Sequence, residues 1–122
     1  MVVTDHHQIP STGIPKSAFT VINPQQESCN FPDKNISGSM VAWLLVSAIK
    51  KKFESHGKIF TKKHQLTDLL DFVALGTMSD CVTLSNSTNN RTVIFYGLKQ
   101  IKNNKRSCWR LLKYNKSFPI NS

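Results

Sequence analysis

Between Val41 and Phe53, the residues Val41, Leu44, Leu45, Ala48, Ile49 and Phe53 recur at the i, i+3, i+4, i+7, i+8 spacing of one helical face. A helix patterned in this way draws its stability from laying its stripe on another element. Ser39 is placed to cap it. Lys50, Lys51 and Lys52 fall in its last turns, where the helix dipole favours cations, and Gly57 marks its stop. The run from Val41 to Ile49 is the longest apolar one and is too short to cross a bilayer. The residues before the helix indicate what it packs on. Met1, Val2 and Val3 read as the end of a buried strand that delivers Thr4, Asp5, His6 and His7. Ala18 to Ile22 reads as a second strand, reached through a loop with Pro10, Gly13 and Pro15. Polar residues at a strand end are the usual place for a site in an open α/β sheet. So short a lead into such a cluster is read as a domain whose upstream part lies elsewhere.

A long polar connection, residues 24 to 38, joins the second strand to the helix, and a loop of that length is usually functional. Two more helices are expected. One runs from Leu66 to about Met78, with Leu69, Leu70, Val73 and Ala74 inward and Gly76 weakening its end. The other runs from about Asn90 to Lys102 on Val93, Ile94, Tyr96, Gly97, Leu98 and Ile101. From Asn103 the chain is basic and weakly patterned, and there is no internal repeat.

The 122 residues make one domain or part of one. Lys and Arg number 16 against 7 Asp and Glu, a net charge of +9. That balance describes either a solvated basic surface or attraction to a polyanion such as nucleic acid, and the second reading is favoured. Cys29, Cys81 and Cys108 lie far apart with no C-x-x-C pair, which argues against a thiolate zinc site. Their odd number, with no signal peptide, fits a reducing cytoplasm.

Asp5-His6-His7 is the first candidate for chemistry. Adjacent histidines on an extended segment point to opposite sides, so one can face a metal while the other faces another part of a pocket. A nearby carboxylate can orient a ligand histidine through its second ring nitrogen. Two surface histidines in a loop would look the same in sequence. Asp80 is the second candidate. It follows the apolar segment Leu69 to Leu75, where a buried carboxylate needs a partner such as a metal or backbone N–H groups. His6 with Asp80 would suit zinc, manganese or non-haem iron rather than calcium. A two-metal hydrolase needs more carboxylates than this pair. Glu27, Asp33 and Glu54 have no ligand context, and Asp68 and Asp71 read as the polar face of the second helix. His56 and His64 read as exposed in a basic connector.

Gly38 and Ser39 precede the strongest helix and could offer N–H groups to a phosphate, although ordinary capping, which needs no ligand, is the reading that the local sequence favours. Arg91 could pair with a phosphate or with Asp80. Lys102, Lys105, Arg106 and Arg110 surround Trp109, a mixture that can bind single strands, but a lone Trp is more often packing.

Taken together these segments resemble the DHH phosphoesterase superfamily, and within it the RecJ exonucleases, over about residues 2 to 102. Val2-Val3-Thr4-Asp5-His6-His7 is similar to the motif that names the superfamily. Val21-Ile22-Asn23-Pro24-Gln25-Gln26 and Cys29-Asn30-Phe31-Pro32 resemble the RecJ-type stretch after it. Gly38 matches a glycine at the following helix start. Leu69 to Asp80, with Gly76-Thr77-Met78-Ser79-Asp80 at its end, resembles the fourth motif, and Asn89-Asn90-Arg91 with Gly97-Leu98 the helix beyond.

The resemblance implies an α/β fold: the C-terminal part of a DHH-type domain, a parallel sheet flanked by helices, truncated on its N-terminal side. Residues 1–102 would be the partial domain and 103–122 a basic tail. It implies His6 and Asp80 as ligands of a divalent metal, Mn2+ above Mg2+. It implies His7 at the scissile phosphate with Asp5 supporting it, and Gly38, Ser39 and Arg91 near phosphate. The implied activity is 5′-to-3′ hydrolysis of single-stranded DNA in cytoplasmic repair and recombination. The superfamily's Asp-x-Asp cluster and second-motif Asp are absent. Met40 replaces a small residue, and Thr83 stands where proline is common. These departures imply a chain inactive alone unless another chain supplies the carboxylates. The alternatives are a non-catalytic remnant that binds nucleic acid through its charge, and a small-molecule DHH phosphoesterase.

Overall fold

A computed structural model describes residues 1–58, 65–103 and 106–114. Strand β1 (Val2–Thr4) and strand β2 (Thr20–Ile22) pair in parallel, with Val2 opposite Thr20, Val3 opposite Val21 and Thr4 opposite Ile22. The Asp5 N–H extends this ladder to the Ile22 carbonyl at 3.0 Å, so the carboxylate of Asp5 leaves from the end of the sheet. Parallel strands need a crossover rather than a hairpin. Here it is the loop through Pro10 and Gly13, where Gly13 takes φ +80° and its N–H meets the Pro10 carbonyl at 2.8 Å. The strand expected to be buried is half open, with Val2 51% exposed.

Helix α1 (Gly38–Ser55) forms where the stripe predicts it, but only the first part of the stripe packs inward: Val41 is in the core with Leu44 against it, whereas Ile49 and Phe53 are 45% and 49% exposed. Its cap is Ser37, not Ser39: the Ser37 Oγ accepts from the Met40 N–H at 3.3 Å, worth about 1 kcal/mol. Ser39 lies inside the first turn, and its hydroxyl turns to the Val73 carbonyl and the Ser37 hydroxyl instead. Gly57, at φ +75°, ends the helix as expected.

The second helix opens with a 3-10 turn, Leu66–Leu69, before helix α2 (Leu70–Ser79). Helix α3 spans Thr88–Lys102, capped by Ser87. Ile36, Met40, Val41, Val73, Ala74 and Val93 form the core between α1, α2 and α3. Leu70, Val73 and Ala74 turn inward as expected, but Leu69 in the 3-10 turn is 38% exposed. Gly97 is required by close approach: a Cβ there would overlap Ala74 Cβ and the Leu70 carbonyl, so α3 lies directly against α2.

Residues after Asn103 are not featureless. Helix α4 (Ser107–Tyr114) docks on α2 through Trp109, 5% exposed, while Lys105 and residues 115–122 of the expected basic tail lie outside the described residues. Asp71 does not belong to a polar face either. It is 2% exposed, and its Oδ2 accepts from Arg106 Nε at 2.6 Å and Trp109 Nε1 at 2.7 Å. The partners that bury it come from α4 and the residue just before it, the part of the sequence without a clear helical signal. Among the described residues no helix is long and apolar enough to cross a membrane.

Candidate active site

The strand ends at Thr4, and the backbone then turns around the side chain of Asp5. Asp5 Oδ1 accepts from the His6 N–H at 2.8 Å, the His7 N–H at 3.3 Å and the His7 ring Nδ1 at 2.8 Å. Burial pushes the Asp5 carboxyl up, but those His7 and His6 hydrogen bonds and the His7 charge outweigh it, so it sits below its ordinary 3.8. An ionised carboxylate only accepts, so His7 donates from Nδ1 and leaves Nε2 for another partner. The ring is 75% exposed and free to meet a ligand.

The two imidazoles do not point to opposite sides. Their centroids are 4.3 Å apart with planes tilted by 49°. The alternation expected of a strand fails because Asp5 gathers both histidine N–H groups and ends the extended geometry. Asn23, buried at the end of β2, pins the turn by donating from Nδ2 to the His7 carbonyl at 2.9 Å.

His6 meets Asp80. Its Nε2 lies 3.0 Å from Asp80 Oδ2, with 15% and 32% side-chain exposure respectively. β1 delivers one residue and the end of α2 the other. The start of α1 closes the third side. A Cβ on Gly38 would stand 3.3 Å from His6 Cδ2, so glycine lets the helix N-terminus come against the ring. Behind it the Ser37 hydroxyl bridges to Thr77 at 2.9 Å and locks α1 to α2. The result is an open cavity of about 420 Å3 lined by Thr4, Asp5, His6 and His7 on one side and Gly38, Ser39, Gly76, Ser79 and Asp80 on the other.

Of the residues singled out in the sequence, Asp5, His6, His7, Gly38, Ser39 and Asp80 share this cavity. Arg91 does not. Its Nη1 donates to the carbonyls of Leu84 at 2.6 Å and Ser85 at 2.8 Å, because α3 starts beside that loop rather than beside Asp80. His56 is exposed on the C-cap of α1, and His64 lies outside the described residues. Asn23 and Thr77 were missed; a buried amide beside proline and a hydroxyl in an apolar helix were the available signals.

Two ligands on one ion with bonds of about 2.1 Å at a right angle lie about 3 Å apart. His6 Nε2 and Asp80 Oδ2 have that separation, and a nitrogen with a carboxylate oxygen suits a borderline divalent ion. Among the described residues no group of three or more His, Cys, Asp or Glu is arranged to hold a metal ion. The pair therefore fits part of a coordination sphere.

Curated relatives align with most of the chain. The single-stranded-DNA-specific exonuclease RecJ of Haemophilus influenzae is 44% identical over 104 residues, 84% of this chain and 17% of that protein. The protein of the same name from Escherichia coli is 38% identical over 106 residues, 84% of this chain and 18% of its own length. That of Bacillus subtilis is 28% identical over 106 residues, 87% of this chain and 12% of its own. The chain thus spans under a fifth of the length of these relatives. No family model and no solved structure matches it.

Proposed function

Over the segment it shares with those exonucleases the chain belongs to the RecJ type, and from that premise we propose that it carries one half of a metal-dependent phosphodiesterase site acting on single-stranded DNA. The observation that supports this reading most directly is the 3.0 Å approach of His6 to Asp80 in a cavity bordered by a helix N-terminus.

His6 and Asp80 would hold a divalent metal, Mn2+ above Mg2+. Such an ion, once bound, lowers the pKa of water and neutralises charge on a phosphodiester. Asp5 accepts from His7 Nδ1 and so orients the ring, and with a second proton on Nε2 the exposed edge of the ring would donate to a phosphate oxygen. The first N–H groups of α1, at Gly38 and Ser39, lie on the same cavity and favour an anion there. Binding both the attacking and leaving oxygens takes more carboxylates than this pair, so the pair would be inactive until further carboxylates complete the site.

Titration with Mn2+, read by the EPR signal of the free ion, tests the ligand pair. Asp80→Asn and His6→Gln should each weaken binding by about tenfold or more. Unchanged affinity in both would refute the assignment. The chain should release no nucleotide from 5′-labelled single-stranded DNA in Mn2+. Release that Asp80→Ala abolishes would show the site to be complete.

A further inference from the structure

The charge of the chain is not evenly spread. After Asp80 there is no Asp or Glu, while half of the 16 Lys and Arg residues lie there. Helix α3 crosses this stretch with its buried side, Asn90, Val93, Gly97 and Ile101, against the core. Its opposite side carries Phe95, Lys99 and Lys102 at the i, i+4, i+7 spacing that lines one helical face, with Tyr96 beside them. Phe95 is 58% and Tyr96 51% exposed. The two rings meet edge to face at 5.2 Å, and Lys99 Nζ sits 5.1 Å from the Phe95 centroid. These exposed aromatic rings, on a basic helix without an acid, contribute nothing to the core, and Lys99 already holds a cation over Phe95.

We propose that this face of α3 is a second, non-hydrolytic binding surface for a single-stranded nucleic acid. Bases would stack on Phe95 and Tyr96, and the adjoining phosphates would be held by Lys99 and Lys102. The combination is what sequence-tolerant strand binding requires: rings for the bases and cations for the backbone. Charge complementarity selects a polyanion, and the paired rings select one with flat groups over an acidic polypeptide. A duplex keeps its bases stacked inside and offers none to Phe95. The surface takes its ligand class from the function proposed above but shares no residue with that cavity, so each can fail without the other.

The test uses the whole chain with a fluorescein-labelled oligothymidine, read by anisotropy at two salt concentrations. Phe95→Leu with Tyr96→Leu keeps the apolar area and removes the planar faces. It should weaken binding by about tenfold or more while Mn2+ affinity and circular dichroism stay unchanged. Phe95→Trp should bind at least as well as the parent. Lys99→Gln with Lys102→Gln should reduce both affinity and its salt dependence. Unaltered binding in the Leu pair would overturn the proposal, as would equal affinity for polyglutamate of the same length.

Discussion

Helix α2 holds a carboxylate near each end, and the two are held in opposite ways. Asp71 is 3% exposed as a side chain; Arg106 and Trp109 share its Oδ2, and the Phe72 N–H donates to its Oδ1 at 2.9 Å. Asp80 is 32% exposed and meets His6 through one oxygen, on the wall of a cavity. Every strong donor that Asp71 could bind is already in place, so its charge serves packing: it fastens α4 to α2. Asp80 retains accepting capacity and access, the two properties a ligand position needs. The residue type is the same and both sit at ends of one helix; the number of donors already committed separates an acid that is saturated from one that can still accept.

The largest effect should come from breaking the filled end. Asp71→Ala leaves the Trp109 N–H buried without an acceptor and Arg106 with the Asp68 carbonyl but no carboxylate, and should cost about 3 kcal/mol. The figure sits at the low end of the range because Arg106 is 35% exposed and can still reach water. Asp80→Ala should cost less than about 1 kcal/mol, since its pair faces solvent. Urea unfolding followed by circular dichroism compares the two. Equal losses would mean that Asp80 is as structural as Asp71 and would remove the contrast.

A middle-sized effect tests how the open end is held. Gly76 lines the cavity one turn before Asp80, and a Cβ there would lie 2.7 Å from Ser39 Cβ on α1. Gly76→Ala should therefore cost about 1–3 kcal/mol by wedging α1 from α2. Adding Ser39→Gly removes the clashing atoms and should recover part of the loss. A double-mutant cycle in urea with no coupling between the two positions would place the strain elsewhere.

These contrasts also mark what could be seen in the sequence. The helices α1, α2 and α3 are legible in the sequence because an apolar period marks a helix, but the period does not report which apolar residues are buried: Ile49 and Phe53 on α1, Leu69 in the 3-10 turn, and Tyr96 and Leu98 on α3 are all exposed. Asp5, His6, His7 and Asp80 stand out in the sequence because they follow directly on the apolar segments that become β1 and α2, where a polar side chain has no packing reason to be. Asp71 was misread because its burial is created by Arg106 and Trp109, a long-range event that helical periodicity cannot report. The placement of Arg91 away from the cavity is hidden for a related reason: its Nη1 donates to the loop carbonyls of Leu84 and Ser85, and no side-chain pattern marks a carbonyl acceptor. Ser37 and Ser39 flank one glycine, and only backbone geometry separates the cap from the residue inside the turn.

The smallest effect belongs to Asp5, which lies between the two extremes. It collects three hydrogen bonds, as a structural acid does, yet remains 41% exposed. Its carboxyl is held below 3.8 in the fold, so the ionised form stabilises the native state above that pH. As pH falls through the lowered folded value, protonation removes that contribution, and below it nothing remains to lose. After solvent screening the contribution should be under about 0.5 kcal/mol. Comparing thermal unfolding of the parent chain with Asp5→Asn at pH 6 and pH 2.5 isolates it. The difference should be present at the higher pH and shrink at the lower. A gap that stays constant, or widens as pH falls, would mean that Asp5 acts through shape rather than charge, and it would then group with neither end of α2.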